Sequence, residues 1–306
     1  MERPMTQQLL AGASETTAKA SWRDYWILTK PGINASNLMA TFTGFWLAGH
    51  DTFNFTLLLV TLLGTALVIA GGCAVNNYID RDIDPQMGRT QDRPIPAGRI
   101  RPQSALWTGI LLGVAGVALL SILVNPLSAL LAAFGYIVYV VIYSMWTKRT
   151  TIWNTIVGSF SGAIPPLVGW AAVEGTLGLA AWMLFLFMFV WQPAHFYALA
   201  MMKEEDYRTA GVPMWSVVKG QKDTRRQTIL FVGMMLPVSL LLWMTGVVGW
   251  LFLAMALLLG GGWFYLGVAG WSGEEHEGWA RKMFLYSLFY LTLMQVAMLI
   301  DPVLFG

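Results

Sequence analysis

Uncharged apolar runs alternate with polar breaks along this chain of 306 residues, and the alternation predicts helices. Nine runs approach the ~20 residues that an α-helix needs to cross a bilayer. They fall at about 30–49, 55–77, 104–124, 127–146, 152–172, 179–200, 228–247, 249–270 and 283–301. Almost nothing separates the third run from the fourth (Asn125-Pro126) or the seventh from the eighth, so both pairs should form tight hairpins. The expected fold is therefore all-α: a polytopic membrane bundle of nine transmembrane helices. Two breaks are much longer, at about 78–103 and 201–227, and hold most of the charge. They are expected to cap one mouth of the bundle. Residues 1–21 are polar and mixed, with Glu2 and Glu15 among the bases, and read as a disordered tail. They lack the apolar core of a secretory signal and the arginine content of a transit peptide. Residues 22–306 read as a single domain.

Composition removes the soluble alternatives. The chain is 56% hydrophobic and 12% charged, about half the charged fraction of a soluble domain. Its single cysteine, Cys73, excludes an internal disulfide framework. The distribution of charge says more than its sum. With nine crossings, all 19 Lys and Arg fall on one side, while His50, Asp51, Glu174 and Asp301 fall on the other. The positive-inside rule then puts the amino terminus in the cytoplasm and the carboxyl terminus outside. Trp22, Tyr25 and Trp26, just before the first run, suit an interfacial aromatic belt.

The second run ends in Asn76-Asn77-Tyr78-Ile79-Asp80-Arg81-Asp82-Ile83-Asp84. Ionisable groups at a bilayer edge are expensive to keep there and mark functional sites. Asn76, Asp80 and Asp84 are spaced i, i+4, i+8, which on a continued helix makes one polar stripe. Oxygen donors of this kind suit Mg²⁺, which takes one or two carboxylates and leaves positions for substrate phosphates. Asp82 points away from the stripe, toward solvent or an arginine. Arg89 and Arg93 follow within ten residues of Asp84, and arginine forks bind phosphate oxygens bidentately. Pro94, Pro96 and Gly98 should turn the loop back over the site. Arg99 and Arg101 serve equally well as simple topology signals. Lys148 and Arg149, after the fourth run, must lie on the same face as the aspartates. The sixth run ends Trp191-Gln192-Pro193-Ala194-His195 and continues to Lys203 and Asp206, which would place His195, Leu199, Lys203 and Asp206 on one helix face. Pro193 should kink that helix or free a carbonyl.

These residues carry a resemblance. Asn76-x3-Asp80-x3-Asp84 with Arg89-Thr90-x-x-Arg93-Pro94-x-Pro96-x-Gly98-Arg99 resembles the first aspartate-rich motif of the UbiA superfamily of intramembrane prenyltransferases. Trp191-Gln192-Pro193-x-His195-Phe196 and Asp206-Tyr207-x-x-Ala210-Gly211-x-Pro213-Met214 are similar to its heme O synthase branch. Lys148-Arg149-x-Thr151-x-x-Asn154 and Gly162-Ala163-x-Pro165-Pro166-Leu167-x-Gly169-Trp170 fit the same branch, so the likeness spans residues 22–300. Asn77 stands where phenolic-acid prenyltransferases carry an aspartate, and the second aspartate-rich motif is replaced by His195 and Lys203, as in the heme branch.

The resemblance implies transfer of a farnesyl group from farnesyl diphosphate to a vinyl group of heme b, with water added, at the cytoplasmic face of a bacterial inner membrane. Asn76, Asp80 and Asp84 would hold Mg²⁺. Arg89, Arg93, Lys148 and Arg149 would bind the diphosphate, Lys203 would replace a second metal charge, and His195 would either ligate heme iron or orient the water. Besides the lipid bilayer and the two substrates, the partners implied are heme A synthase or terminal-oxidase assembly, with no nucleic acid. A quinone-precursor or chlorophyllide prenyltransferase is the nearest rival, and it calls for a second carboxylate cluster near the sixth run. A transporter calls for charges near the bilayer midplane, and a non-catalytic heme-assembly factor leaves the Asp/Arg loop without a purpose.

Overall fold

The computed structural model describes residues 20–271 and 276–305, and helices and turns account for its regular structure, with no strand among them. The expected tail falls almost wholly outside the described residues. Helix α1 (Trp22–Leu28) is short and starts from a capping box, Ser21 and Asp24 each bonding the other's backbone. It buries Leu28 and leaves Trp22 and Trp26 exposed, as suits a helix lying at an interface. Nine long helices follow among the described residues: α2 (Pro31–Gly49), α3 (Phe55–Ile79), α4 (Pro102–Leu123), α5 (Pro126–Thr150), α6 (Asn154–Glu174), α7 (Leu179–Met202), α10 (Gln221–Met244), α11 (Trp250–Ala269) and α12 (His276–Phe305). Two short helices, α8 (Glu204–Thr209) and α9 (Trp215–Lys219), lie between α7 and α10.

Local chemistry sets the starts. Pro31, Pro102 and Pro126 occupy first helical positions, where a missing N–H costs nothing. Asn54 and Asn125 cap α3 and α5 by accepting from Leu57 N and Ser128 N. Eight of the helices are long and apolar enough to cross a membrane. The expected ninth span, α2, is a helix of 19 residues, but Asn34, Asn37, Thr41 and Thr43 dilute its apolar character. Two helices outrun their apolar stretches. Helix α10 begins at Gln221, before the expected 228, and α12 is already helical at His276, before the expected 283, because their first turns are polar and project past the apolar zone.

The bundle closes on itself, with α12 packed on both α2 and α7 and Trp46 of α2 donating to the Leu299 carbonyl at 3.0 Å. Buried Leu167, Leu184, Phe187, Trp263, Tyr290 and Met294 form the core between α6, α7, α11 and α12. Helix α3 lies hard against α4: a Cβ on Gly71 would meet the Gly109 carbonyl oxygen at 2.5 Å. Small residues of this kind are how membrane helices gain close backbone packing, and this contact fixes the helix that ends in the aspartate motif. At the opposite end of the bundle, buried Asp301 accepts from the backbone N–H groups of Gly249 (2.6 Å), Phe252 (2.9 Å) and Leu251 (3.3 Å). A carboxylate from α12 thus caps the first turn of α11, where the helix leaves its own donors unpaired. Asp301→Ala should lower unfolding free energy by about 1–2 kcal/mol, seen as a reduced melting midpoint of the detergent-purified protein.

Candidate active site

Helix α3 ends at Ile79, and Asp80 is its C-cap, with its N–H bonded to the Asn76 carbonyl. The chain then turns through two 3₁₀ segments, Asp80–Asp82 and Asp84–Gln86. The continuous helical stripe expected for Asn76, Asp80 and Asp84 is therefore broken. An α-helix continuing past Asp84 would also meet Pro85, which has no N–H to donate and whose ring would clash with the Arg81 carbonyl. The tighter turns nevertheless keep all three side chains inside, with Asn76, Asp80 and Asp84 at 3%, 1% and 2% exposure.

Buried polar groups need partners, and these come from four separate elements. Lys148 Nζ donates to Asp80 Oδ2 at 2.5 Å, as does Asn76 Nδ2 at 2.9 Å. Arg93 Nη1 meets both oxygens of Asp84 at 2.9 and 2.8 Å. Arg149 forks onto Asp82 with two bonds of 2.7 Å, donates to the Ile79 carbonyl at 2.7 Å and stands 3.8 Å from Asp80. Asp82 is thus arginine-paired at the rim. The fourth cation is one the sequence reading left out as a site residue: the Lys30 ammonium donates to Asn76 Oδ1. Lys30 is also the one non-glycine residue with a positive φ (50°) among the described residues. Such a conformation is strained and collects at functional sites. Ser144 was likewise missed; its oxygen accepts from Asn76 Nδ2 at 3.0 Å. Four cations thus face three carboxylates, leaving an excess positive charge where α3 ends.

The two long loops close over this cluster. Thr90 donates to the Asp84 carbonyl at 2.8 Å, and Gly88 N donates to Asp206 Oδ1 at 3.2 Å, joining the first loop to the second. Ile83 and Met87 bury themselves with Ala200, Ala210, Val212 and Met214. The start of α6 joins the same assembly, with Asn154 Nδ2 donating to the Pro213 carbonyl at 3.2 Å. Arg99 anchors the first loop instead of facing the aspartates, donating to Asp24 Oδ1 at 2.6 Å and to the Asp92 carbonyl at 2.8 Å. The Ser21 backbone N–H, then Arg99, hold the Asp24 carboxyl down to about 2. That anchor is at full strength above pH ~4 and is lost only as pH falls toward about 2.

Three expected site residues stand apart. Arg89 is exposed. Lys203 is half-buried and is the C-cap of α7, which ends at Met202. The face expected through His195, Leu199, Lys203 and Asp206 stops there, because Asp206 belongs to α8, a separate helix. His195 lies deeper in α7, at 8% exposure, between the rings of Trp191 and Phe284, both with centroids at 4.7 Å. Its Nδ1 is 2.7 Å from Ser287 Oγ, whose hydroxyl donates to the Phe284 carbonyl at 2.5 Å. The Ser287 hydrogen is committed, so His195 Nδ1 is the donor and Nε2 keeps its lone pair.

The donor set fits Mg²⁺. It consists of hard oxygens from two carboxylates and an amide, and Asp80 Oδ1 is buried with no hydrogen-bond partner. No three His, Cys, Asp or Glu side chains converge into a metal-holding group among the described residues. Two buried carboxylates thus stand beside an excess of cations at the end of α3.

Residues 37–289 match the model of the UbiA prenyltransferase family, and the chain belongs to that family. It is a multi-pass membrane prenyltransferase. Within the family it is 48% identical over 303 residues to the protoheme IX farnesyltransferase of Alkalihalophilus pseudofirmus, covering 96% of each chain. It is 47% identical over 291 residues to protoheme IX farnesyltransferase 2 of Bacillus subtilis, covering 94% of this chain and 93% of that one. The fold also matches the structure of a UbiA homolog from Archaeoglobus fulgidus bound to DMAPP and Mg²⁺. That likeness has a TM-score of 0.72 at 14% identity and covers 90% of this chain and 99% of that one.

Breaking a buried ion pair by removing one partner is costlier than removing both. Lys148→Met should therefore destabilise the protein by about 3–5 kcal/mol, and adding Asp80→Asn should recover most of the loss in the same melting experiment.

Proposed function

We propose that the chain farnesylates heme b: it transfers the farnesyl group of farnesyl diphosphate to a heme vinyl carbon, with addition of water, to give heme O and diphosphate. The observation that carries this reading is the buried Asp80/Asp84 pair ringed by Lys30, Arg93, Lys148 and Arg149. The identity to relatives named protoheme IX farnesyltransferase supplies the acceptor.

The chemistry follows charge. The bond between C1 of the farnesyl group and the diphosphate oxygen breaks, and its electron pair leaves with the diphosphate. Arg93, Lys148 and Arg149, with Arg89 and Lys203 from the covering loops, stabilise that leaving group where its negative charge grows. Mg²⁺, held by Asn76, Asp80 and Asp84, would neutralise phosphate charge as a Lewis acid. Lys203 supplies positive charge where other branches carry a second aspartate cluster. The packed apolar bundle and docked loops keep water from the allylic cation, and aromatic faces are suited to stabilise it. The vinyl carbon then attacks C1, and the resulting heme-stabilised cation takes up water and releases a proton. His195 contacts heme in this reading, since Nε2 is the unprotonated nitrogen of a ring fixed by Ser287. It serves there to ligate the iron or to orient the water.

The topology that goes with this reading counts α2 as a ninth span. It puts the basic face and the amino terminus in the cytoplasm of a bacterial inner membrane, with the carboxyl terminus outside. Residues 22–306 act as one domain. The product is released into the bilayer, where a heme A synthase or a terminal oxidase would take it up.

Membranes containing the chain, given heme b, farnesyl diphosphate and Mg²⁺, should yield a more hydrophobic heme by chromatography, with the added mass of farnesyl plus water. Asp80→Ala should abolish that product, and normal yield from the variant would refute the site assignment. His195→Ala should perturb the absorption spectrum of bound heme and lower turnover, and no change in either would refute the heme contact.

A further inference from the structure

Helix α5 is not an α-helix throughout. From Val138 to Thr147 it is a π-helix, and α geometry returns only over Lys148–Thr150. π-helices are rare, usually single turns, and concentrate at functional sites, so ten residues of one require a cause. Two hydroxyls supply it. Ser144 Oγ donates to the Tyr139 carbonyl at 2.8 Å, and Thr147 Oγ1 donates to the Ile142 carbonyl at 2.9 Å. Both bonds reach back five residues, the π spacing, whereas Ser and Thr in an α-helix reach back three or four. Each hydroxyl therefore clamps the wider register. The segment also sets two large rings: Tyr139 packs on Gly72 of α3 and Tyr143 on Gly158 of α6.

The same serine touches the site. Its oxygen accepts from Asn76 Nδ2 at 3.0 Å, Asn76 donates to Asp80 at 2.9 Å, and Asp80 accepts from Lys148 at 2.5 Å. The path leaves α5 at Ser144 and returns to α5 at Lys148, one turn on. Ser144 has 0% exposure, so water offers it no alternative partner.

The geometry points to Ser144 as a positioning residue for the diphosphate site, with Thr147 as a second clamp. Its hydroxyl holds the π register that delivers Lys148 and Arg149 to the carboxylates. In an α-helix of the same sequence each turn would take one residue fewer, and both cations would rotate about the axis, away from Asp80 and Asp82. The inference rests on the phosphate-binding role proposed above for Lys148 and Arg149. Ser144 touches no substrate in it and acts through Asn76 and the helix register.

The test compares the full chain in nanodiscs with Ser144→Ala, Ser144→Thr and Thr147→Val. Calorimetry measures binding of inorganic diphosphate with Mg²⁺, turnover with farnesyl diphosphate and heme b gives kcat and KM, and melting reports folding. Ser144→Ala should weaken diphosphate binding and lower kcat by about 10–100-fold, the range for partners that orient ligand-holding groups. KM for heme b should not move. Ser144→Thr, which keeps the hydroxyl, should recover most of the loss, and Thr147→Val should shift binding in the same direction as Ser144→Ala. Wild-type diphosphate binding in Ser144→Ala overturns the inference, as does equal impairment in Ser144→Ala and Ser144→Thr. Should Ser144→Ala fail to fold, Thr147→Val decides, and wild-type diphosphate binding there overturns the inference. A chain that binds diphosphate in a Ser144-dependent way without farnesylating heme sinks the substrate reading alone. Farnesylation with unaltered variants sinks only this inference.

Discussion

Two carboxylates are held out of water at the end of α3, and the architecture around them answers to that constraint. Burying an ion costs several kcal/mol unless its charge is matched and its lone pairs are used. Asp80 and Asp84 obtain their match from parts of the chain far apart in sequence. Lys30 enters from the start of α2, Arg93 from the first loop, and Lys148 and Arg149 from the end of α5. Each supporting helix must therefore reach the same membrane face at the same depth. The close Gly71–Gly109 approach, the π segment of α5 and the docked loops all serve that convergence.

The cation cluster is held by the protein's own side chains. Its positive groups are oriented by carboxylates, which substitute for the charge of a ligand and keep the side chains from dispersing into solvent. Preorganised charge of this kind needs little rearrangement as a leaving group develops. Beside the cluster, Gly88 N and Asp206 tie the first loop to the second.

Much of this was legible in the sequence, for reasons visible at particular positions. Apolar periodicity located the long helices because lipid demands continuous runs; it fell short where helices continue into water, as at Gln221, and at α2, which is not among the eight apolar enough to cross a membrane. The place of Asp82 off the stripe left it to solvent or an arginine, and Arg149 is the partner it finds. The spacing of Asp80 and Asp84 drew attention to two residues that the structure buries but suggested the wrong backbone, since the chain leaves α geometry after Ile79 for two 3₁₀ turns. Lys30 was passed over because a lysine before an apolar run looks like an ordinary anchor. Its partner, Asn76, lies 46 positions away, beyond the reach of any local pattern. Ser144 sits unremarked in an apolar stretch, and no known composition signals a π register. The separation of His195 from Asp206 depended on where α7 stops, a boundary that helical spacing alone could not set.

Asp301 carries a different consequence, one for the order of assembly. The first turn of α11 has its N–H groups satisfied by a side chain that the ribosome makes 49 residues after Phe252. Until the last helix is in place, that turn has no protein acceptor and must rely on water at the membrane surface. The hairpin of α10 and α11 can enter the bilayer during synthesis, but its tip is secured only when α12 docks. The tip of that hairpin is thus secured on the face opposite the aspartate motif, by a carboxylate from a later helix acting as a latch.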